Sequence, residues 1–179
     1  MSKKVLPSPF VLAVVIASLS IVFVAGVVLL KNEQSKDVQG ALKVSTDWDS
    51  SEILGTENVC SKGVSPAIKV ENLPAEASTY AVSLTDASGR VHWLATNITS
   101  TSPVLAAGAQ VDGTTLRNYK GNFTYTSPCP DTSETYKLQV FALSAASQQV
   151  TSSTDTVQAL KLIERDAIAH YVKTVKVER

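Results

Sequence analysis

The sequence predicts a mostly β domain with one C-terminal helix, carried behind a single N-terminal transmembrane helix. Three observations predict this. Residues 10–30 form an apolar run without a charge, the middle of the chain alternates apolar and polar residues with period two, and only one stretch near the C-terminus repeats apolar residues at helical spacing. With 179 residues there is room for one domain and a short appendage, but not for two complete cores.

Phe10 to Leu30, FVLAVVIASLSIVFVAGVVLL, spans roughly 30 Å as a helix, the thickness of a bilayer core. Lys3, Lys4 and the amino terminus lie on one side of it. On the other side Lys31, Glu33, Lys36 and Asp37 nearly cancel, so residues 1–9 are expected in the cytoplasm and the rest outside. The competing reading is a cleaved signal peptide, with Val24, Ala25 and Gly26 as a small-residue cleavage site. The continuation through VVLL favours an anchor in the cell membrane, and both readings export the domain.

Residues 31–40, KNEQSKDVQG, are polar and aperiodic and read as a linker, so the domain is expected over 41–179. ALKVSTDW, VSPAIKV and STYAVSLTD follow as strands. In the last, Tyr80, Val82 and Leu84 alternate with Thr79, Ala81 and Ser83, a pattern that buries one face. VHWLATNI and ETYKLQVFAL repeat the signature. The second places Tyr136, Leu138 and Val140 on one face and Phe141 and Leu143 on the other, as a central strand would. Between them, residues 102–133 are turn-rich, and loops of this length in compact domains tend to be functional or disordered.

TDTVQALKLIERDAIAHYV predicts the helix, with Asp155 as N-cap and Val157, Leu160, Ile163, Ala167 and Tyr171 as its stripe. His170 falls on its polar side and reads as solvated. The closing KTVKVER alternates again as a last strand.

Sixteen basic residues balance sixteen acidic ones. Setting aside the two lysines of residues 1–30 leaves fourteen against sixteen, a net of −2, which offers nucleic acid no basic surface. Cys60 and Cys129 are the only cysteines. In an exported domain they are expected to form a disulfide, with two buried free thiols as the alternative. No nucleophile elbow, P-loop, dinucleotide fingerprint, zincin helix or EF-hand loop is present, and two histidines make a histidine-rich metal site improbable. No cofactor is expected. Asn97-Ile98-Thr99 and Asn122-Phe123-Thr124 are sequons, relevant only in a glycosylating host.

The order of segments resembles the phosphatidylethanolamine-binding, or Raf-kinase-inhibitor-like, family in its prokaryotic form. NVCSKGVSPAIKVENLPAEASTYAVSLTDASGRVHWLATNI is similar to the family's N-x-SP-x-L, P-x-x-x-x-S-x-A-L-x-x-x-D and HW-V-x-x-N-I segments. NYKGNFTYTSPCPDTSETYKLQVFAL is similar to its N-D-x-G-x-x-x-Y-x-G-P-C-P-P and H-R-Y-x-F-x-V-Y-A-L. The resemblance spans about residues 55 to 179, and its force lies in the order and spacing of the pieces. It implies a β-sandwich with a central antiparallel sheet, a second sheet packed on it and peripheral C-terminal helix. It also implies a small anion or lipid head-group pocket at one end of the sheet, and no general catalytic activity.

Carried over, the resemblance assigns the pocket to Asp86, His92, Tyr125, Ser127, Pro128, Glu134 and Tyr136, and supports a Cys60–Cys129 bridge beside it. Pro130 completes the proline turn, and Trp93 reads as a buried anchor. The departures matter. The second acid and the prolines of the family's D-P-D-A-P give way to ASGR, the pocket glycine is Ser127, and the second histidine is Glu134. Asp86 and Glu134 raise the cost of an anion, and a carboxylate near His92 would favour its protonated form.

The expected function is therefore a non-catalytic, membrane-anchored extracytoplasmic binding module with a degenerate pocket. One alternative is a protein-interaction domain that inhibits an exported hydrolase or engages another partner. The other, a hydrolase using Asp86 and His92, lacks a nucleophile placed by sequence.

Overall fold

The computed structural model describes residues 42–48, 52–147 and 149–178. The predicted membrane segment 10–30 and linker 31–40 lie outside them. Among the described residues no helix is long and apolar enough to cross a membrane.

Among the described residues eight strands and one α-helix follow in order: β1 Lys43–Thr46, β2 Ile68–Glu71, β3 Thr79–Asp86, β4 Val91–Thr99, β5 Val104–Leu105, β6 Thr114–Thr115, β7 Glu134–Leu143, α1 Thr156–Asp166 and β8 Ala167–Val177. They form an antiparallel three-stranded sheet, β1-β2-β5, and an antiparallel five-stranded sheet, β6-β4-β3-β7-β8. The expected strands over β1, β2, β3, β4 and β7 are all present.

The even-numbered residues Val82, Leu84, Leu138 and Val140 meet Val44, Ile68, Val70 and Leu105 of the small sheet in the main core. Each fully buried aliphatic side chain of this kind contributes about 2 kcal/mol by leaving water. The opposite face of the large sheet is buried as well. Ala81, Leu94, Phe141 and Leu143 pack under Ala159 and Ile163 of α1, so all eight residues of β3 are buried rather than one face only. A strand at the middle of a sheet covered on both sides has no solvated face, and its polar residues must pair. Ser83 accordingly donates to the Gln139 side chain at 3.3 Å.

The helix starts where expected. Asp155 accepts from the Gln158 amide at 3.0 Å, the N-cap bond. It stops earlier than expected, at Asp166, and Ala167 to Val172 belong to β8. Its buried stripe is Ala159 and Ile163, while Val157 is half exposed. The residues after Asp166 satisfy two periods at once, and the unpaired edge of β7 decides between them, since its N–H and C=O groups need a partner strand. His170 is therefore a strand residue and not a helix residue; it stacks on Phe141 at 4.3 Å and stays exposed, as expected.

Candidate functional site

Asp86 ends β3, and the β3–β7 register sets it directly opposite Tyr136. His92 comes to the same end of the sheet through a bulge. Leu84 pairs with Trp93 and Thr85 with Val91, which leaves His92 as the extra residue on β4. Asp86, His92 and Tyr136, three of the residues that the resemblance assigns to a pocket, thus come together at this end of the sheet.

The Asp86 carboxylate is fully occupied within its own turn. One oxygen accepts from the Ser88 amide at 2.9 Å, the Ser88 hydroxyl at 2.7 Å and the Arg90 amide at 2.9 Å; the other accepts from Arg90 Nε at 2.5 Å. Gly89, at φ +83°, supplies the left-handed step that closes the turn. Burial alone would push the carboxyl up, but the Ser88 and Arg90 donors outweigh it and bring its pKa down to about 2.

His92 is buried between layers. Its Nδ1 lies 3.0 Å from the Thr126 carbonyl oxygen, which can only accept, so Nδ1 carries a proton. The Thr126 amide returns a bond to the His92 carbonyl at 2.9 Å. Tyr119 lies over the ring at 4.7 Å and Tyr136 meets it edge-on at 5.2 Å. His92 Nε2 is 3.5 Å from Asp86 Oδ2, within ion-pair reach, yet makes no hydrogen bond. Burial lowers the His92 pKa, against the opposing pull of Thr126 and Asp86. Asp86 does pull toward the protonated imidazole as expected, but the cost of charging a buried ring outweighs it.

Tyr136 donates to Glu134 at 2.9 Å, and burial, then the Glu134 carboxylate, raise its pKa, so the phenol keeps its proton. With His92 neutral, the carboxylates of Asp86 and Glu134 stand near the Arg90 guanidinium, and the Lys120 ammonium lies 5.6 Å from the Tyr119 ring centre, so charges of both signs gather at this end of the sheet. Arg90, with a side chain 56% exposed, and Tyr119, 42% exposed, form its outer cover. The resemblance did not bring either residue forward, although Arg90 stands in the replaced turn and Tyr119 where the family motif has an aspartate.

Three other expected pocket residues face elsewhere. Tyr125 donates to the Asn58 carbonyl at 2.5 Å and sets its ring edge-on to Trp93 at 6.0 Å. The Ser127 hydroxyl accepts from the Gly63 amide at 3.0 Å, and the Pro128 carbonyl accepts from the Cys60 amide at 2.8 Å. The reason is the Cys60–Cys129 disulfide, which holds the proline turn against residues 58–63. Backbone donors there claim the groups that would otherwise line a pocket. Trp93 is buried in the main core, as read. Of the two sequons, Asn97 is committed to the fold, its side chain accepting from the Ser147 amide at 2.8 Å, whereas Asn122 is exposed. Among the described residues no three His, Cys, Asp or Glu side chains are grouped to hold a metal ion.

Two solved structures share this fold. A phosphatidylethanolamine-binding protein homologue from Chlamydia trachomatis is 22% identical, with a TM-score of 0.71 over 79% of this chain and 99% of its own. YbcL of Escherichia coli, described as a new member of the mammalian family, is 23% identical, with a TM-score of 0.70 over 78% of this chain and 99% of its own. Among curated proteins none matches the sequence. The phosphatidylethanolamine-binding protein family model matches residues 39–178. With that match over most of its length, and with the sheet-end cluster in place, the chain belongs to the phosphatidylethanolamine-binding protein family.

Proposed function

We propose that the chain is a non-catalytic binding module, tethered to the cell membrane by residues 10–30 with its domain outside the cytoplasm. Its sheet-end site takes a small ligand that carries both charges, of the phosphoethanolamine head-group kind, in preference to a simple anion. The observation that carries this reading is the engagement of Asp86 by Arg90 beneath the Tyr119 cover. A bare phosphate entering a site that already holds two carboxylates loses hydration without full compensation. Glu134 lies close enough for its charge to act on the Arg90 guanidinium, so the mouth offers a cation and an anion near one another. A zwitterion matches both. The groups beside His92 that could act as nucleophiles are held by other bonds: the Thr126 hydroxyl accepts from the Asn118 amide, Tyr136 donates to Glu134, and Asp86 accepts from Ser88 and Arg90.

In the full-length chain held in a polyoxyethylene detergent, O-phosphoethanolamine is expected to shift the NMR signals of His92, Tyr119 and Arg90. Inorganic phosphate at equal concentration should shift them less. Equal or greater response to phosphate would sink the charge argument, and His92-dependent turnover of a phosphoester or acyl ester would end the non-catalytic reading. The tether has its own test. On cell fractionation the full-length chain is expected with the membranes, and a mature chain beginning near residue 27 would replace anchorage by secretion.

A further inference from the structure

A cavity of about 650 Å³ opens beside Trp93 and Tyr125, and its wall shares no residue with the Asp86–Arg90–His92–Tyr119–Glu134–Tyr136 cluster. We propose that it is a binding site for an uncharged, hydroxyl-bearing ring, the chemical class of a neutral sugar.

Its volume falls in the range of small-molecule sites, roughly 300–1,000 Å³. The chemistry of its wall narrows the ligand. Not one Asp, Glu, Lys, Arg or His lies on it, although such charged residues as Asp, Glu, Lys and Arg make up 18% of the chain. An ion entering this cavity would lose water and meet no counter-charge, so charged ligands are disfavoured. A purely hydrocarbon ligand is disfavoured for the opposite reason. The Gln110 amide and the Thr115 and Thr124 hydroxyls belong to the wall and both donate and accept hydrogen bonds, and an alkyl chain would cover them unmatched.

The apolar part of the wall is aromatic. Trp93 and Tyr125 meet edge to face at 6.0 Å, and Phe123, 44% exposed, adds a third ring. The Arg117 guanidinium lies 4.3 Å from the Phe123 ring centre and pins that ring. With Trp93 and Tyr125 almost wholly buried, the Phe123 ring is the open apolar face, and its place beside neutral donors and acceptors matches a sugar, which has C–H faces and a rim of hydroxyls.

The wall is also built in advance. The Cys60–Cys129 bridge and the Gly63–Ser127 bond fix one side. The Gly108 amide donates to both the backbone and the hydroxyl of Ser65, fixing another. A side chain at Gly113 would place its Cβ 2.5 Å from the Thr96 carbonyl oxygen, so only glycine lets that part of the loop close on β4. Preformed walls reduce the ordering cost of binding.

The test is an NMR titration of the full-length chain in a polyoxyethylene detergent, which carries no sugar, with maltose and with N,N′-diacetylchitobiose. At least one is expected to shift the amides of Gly63, Gly108, Gln110 and Thr124, saturably and without moving His92. Ala109→Trp, at an exposed wall position, is expected to abolish the response by filling the space. Thr124→Ala, a milder change, is expected to weaken binding about tenfold through loss of one hydrogen bond. Three results would overturn the proposal: no shift on the wall up to the solubility limit of both sugars, an undiminished response in Ala109→Trp, or larger wall shifts with 1-hexanol than with either sugar. Phosphoethanolamine shifts at His92 report on the other site, so failure of one reading is distinguishable from failure of the other.

Discussion

Replacing Cys60 and Cys129 together by serine is expected to lower the stability of the domain by about 4 kcal/mol and its melting temperature by about 10 °C. The bridge closes a separation of 69 residues, which includes β2, β3, β4, β5 and β6. In the loop-closure account, cutting it releases the unfolded chain from that constraint. The folded state keeps some local fastening, because the Cys60 amide still reaches the Pro128 carbonyl and the Gly63 amide still reaches Ser127. The loss should therefore be global and entropic, with the sheets intact before melting. Calorimetry of the wild type with and without reductant, beside the double variant, measures it. A change in melting temperature of only about 2 °C would show that the bond adds little to these hydrogen bonds.

Asp86→Ala is expected to cost about 3 kcal/mol, since it strands a cation and several turn donors around a buried position. The same residue predicts a pH dependence with a definite sign. Its pKa in the fold, about 2, lies below the ordinary 3.8, so the unfolded chain binds the proton more readily. The carboxylate thus contributes about 2 kcal/mol above pH 4, and this is lost as the pH falls through 2. His92 acts in a higher window with the same sign. Its lowered pKa means that its contribution is complete above the ordinary 6.5 and declines as acid forces a charge into the buried ring. His170, also lowered by burial, adds to that upper window.

Both proteins should therefore lose stability below pH 6.5, Asp86→Ala somewhat more because the pull of Asp86 on His92 is gone, and the two should converge between pH 4 and pH 2. Denaturant unfolding at a series of pH values reads both windows. Curves that stay parallel at the lowest pH would show that the Asp86 carboxylate is not held ionised by its turn.

Much of this architecture is legible in the residues themselves. The strict alternations of STYAVSLTD and ETYKLQVFAL place β3 and β7, and Asp155 marks the start of α1, because hydrophobic period and capping chemistry are local signals. The end of α1 is not legible, since Ala167 and Tyr171 fit both a helical stripe and an alternating strand. Only the waiting edge of β7 resolves them. β5 and β6, two residues each, are too short to leave a pattern.

At the site, the meeting of Asp86, His92 and Tyr136 was readable through family resemblance. The inward use of Arg90 was not, although an arginine four residues after an aspartate across a glycine turn is a visible hint. Tyr119 shows the same limit. Its place in the chain was plain, but that it lies over His92 depends on how a long loop folds back, which no local pattern encodes.

No residue separates α1 from β8: Asp166 ends one and Ala167 begins the other. Deleting or adding a single amino acid there would rotate the outer strand's whole alternation, exchanging the buried Val175 and Val177 for the exposed Thr174 and Lys176. Related chains should therefore keep this junction at constant length while their 102–133 segments grow and shrink freely. The seam acts as a fixed ruler for the final strand, and evolutionary tinkering is steered toward the loops around the sheet-end cluster and the Trp93 cavity.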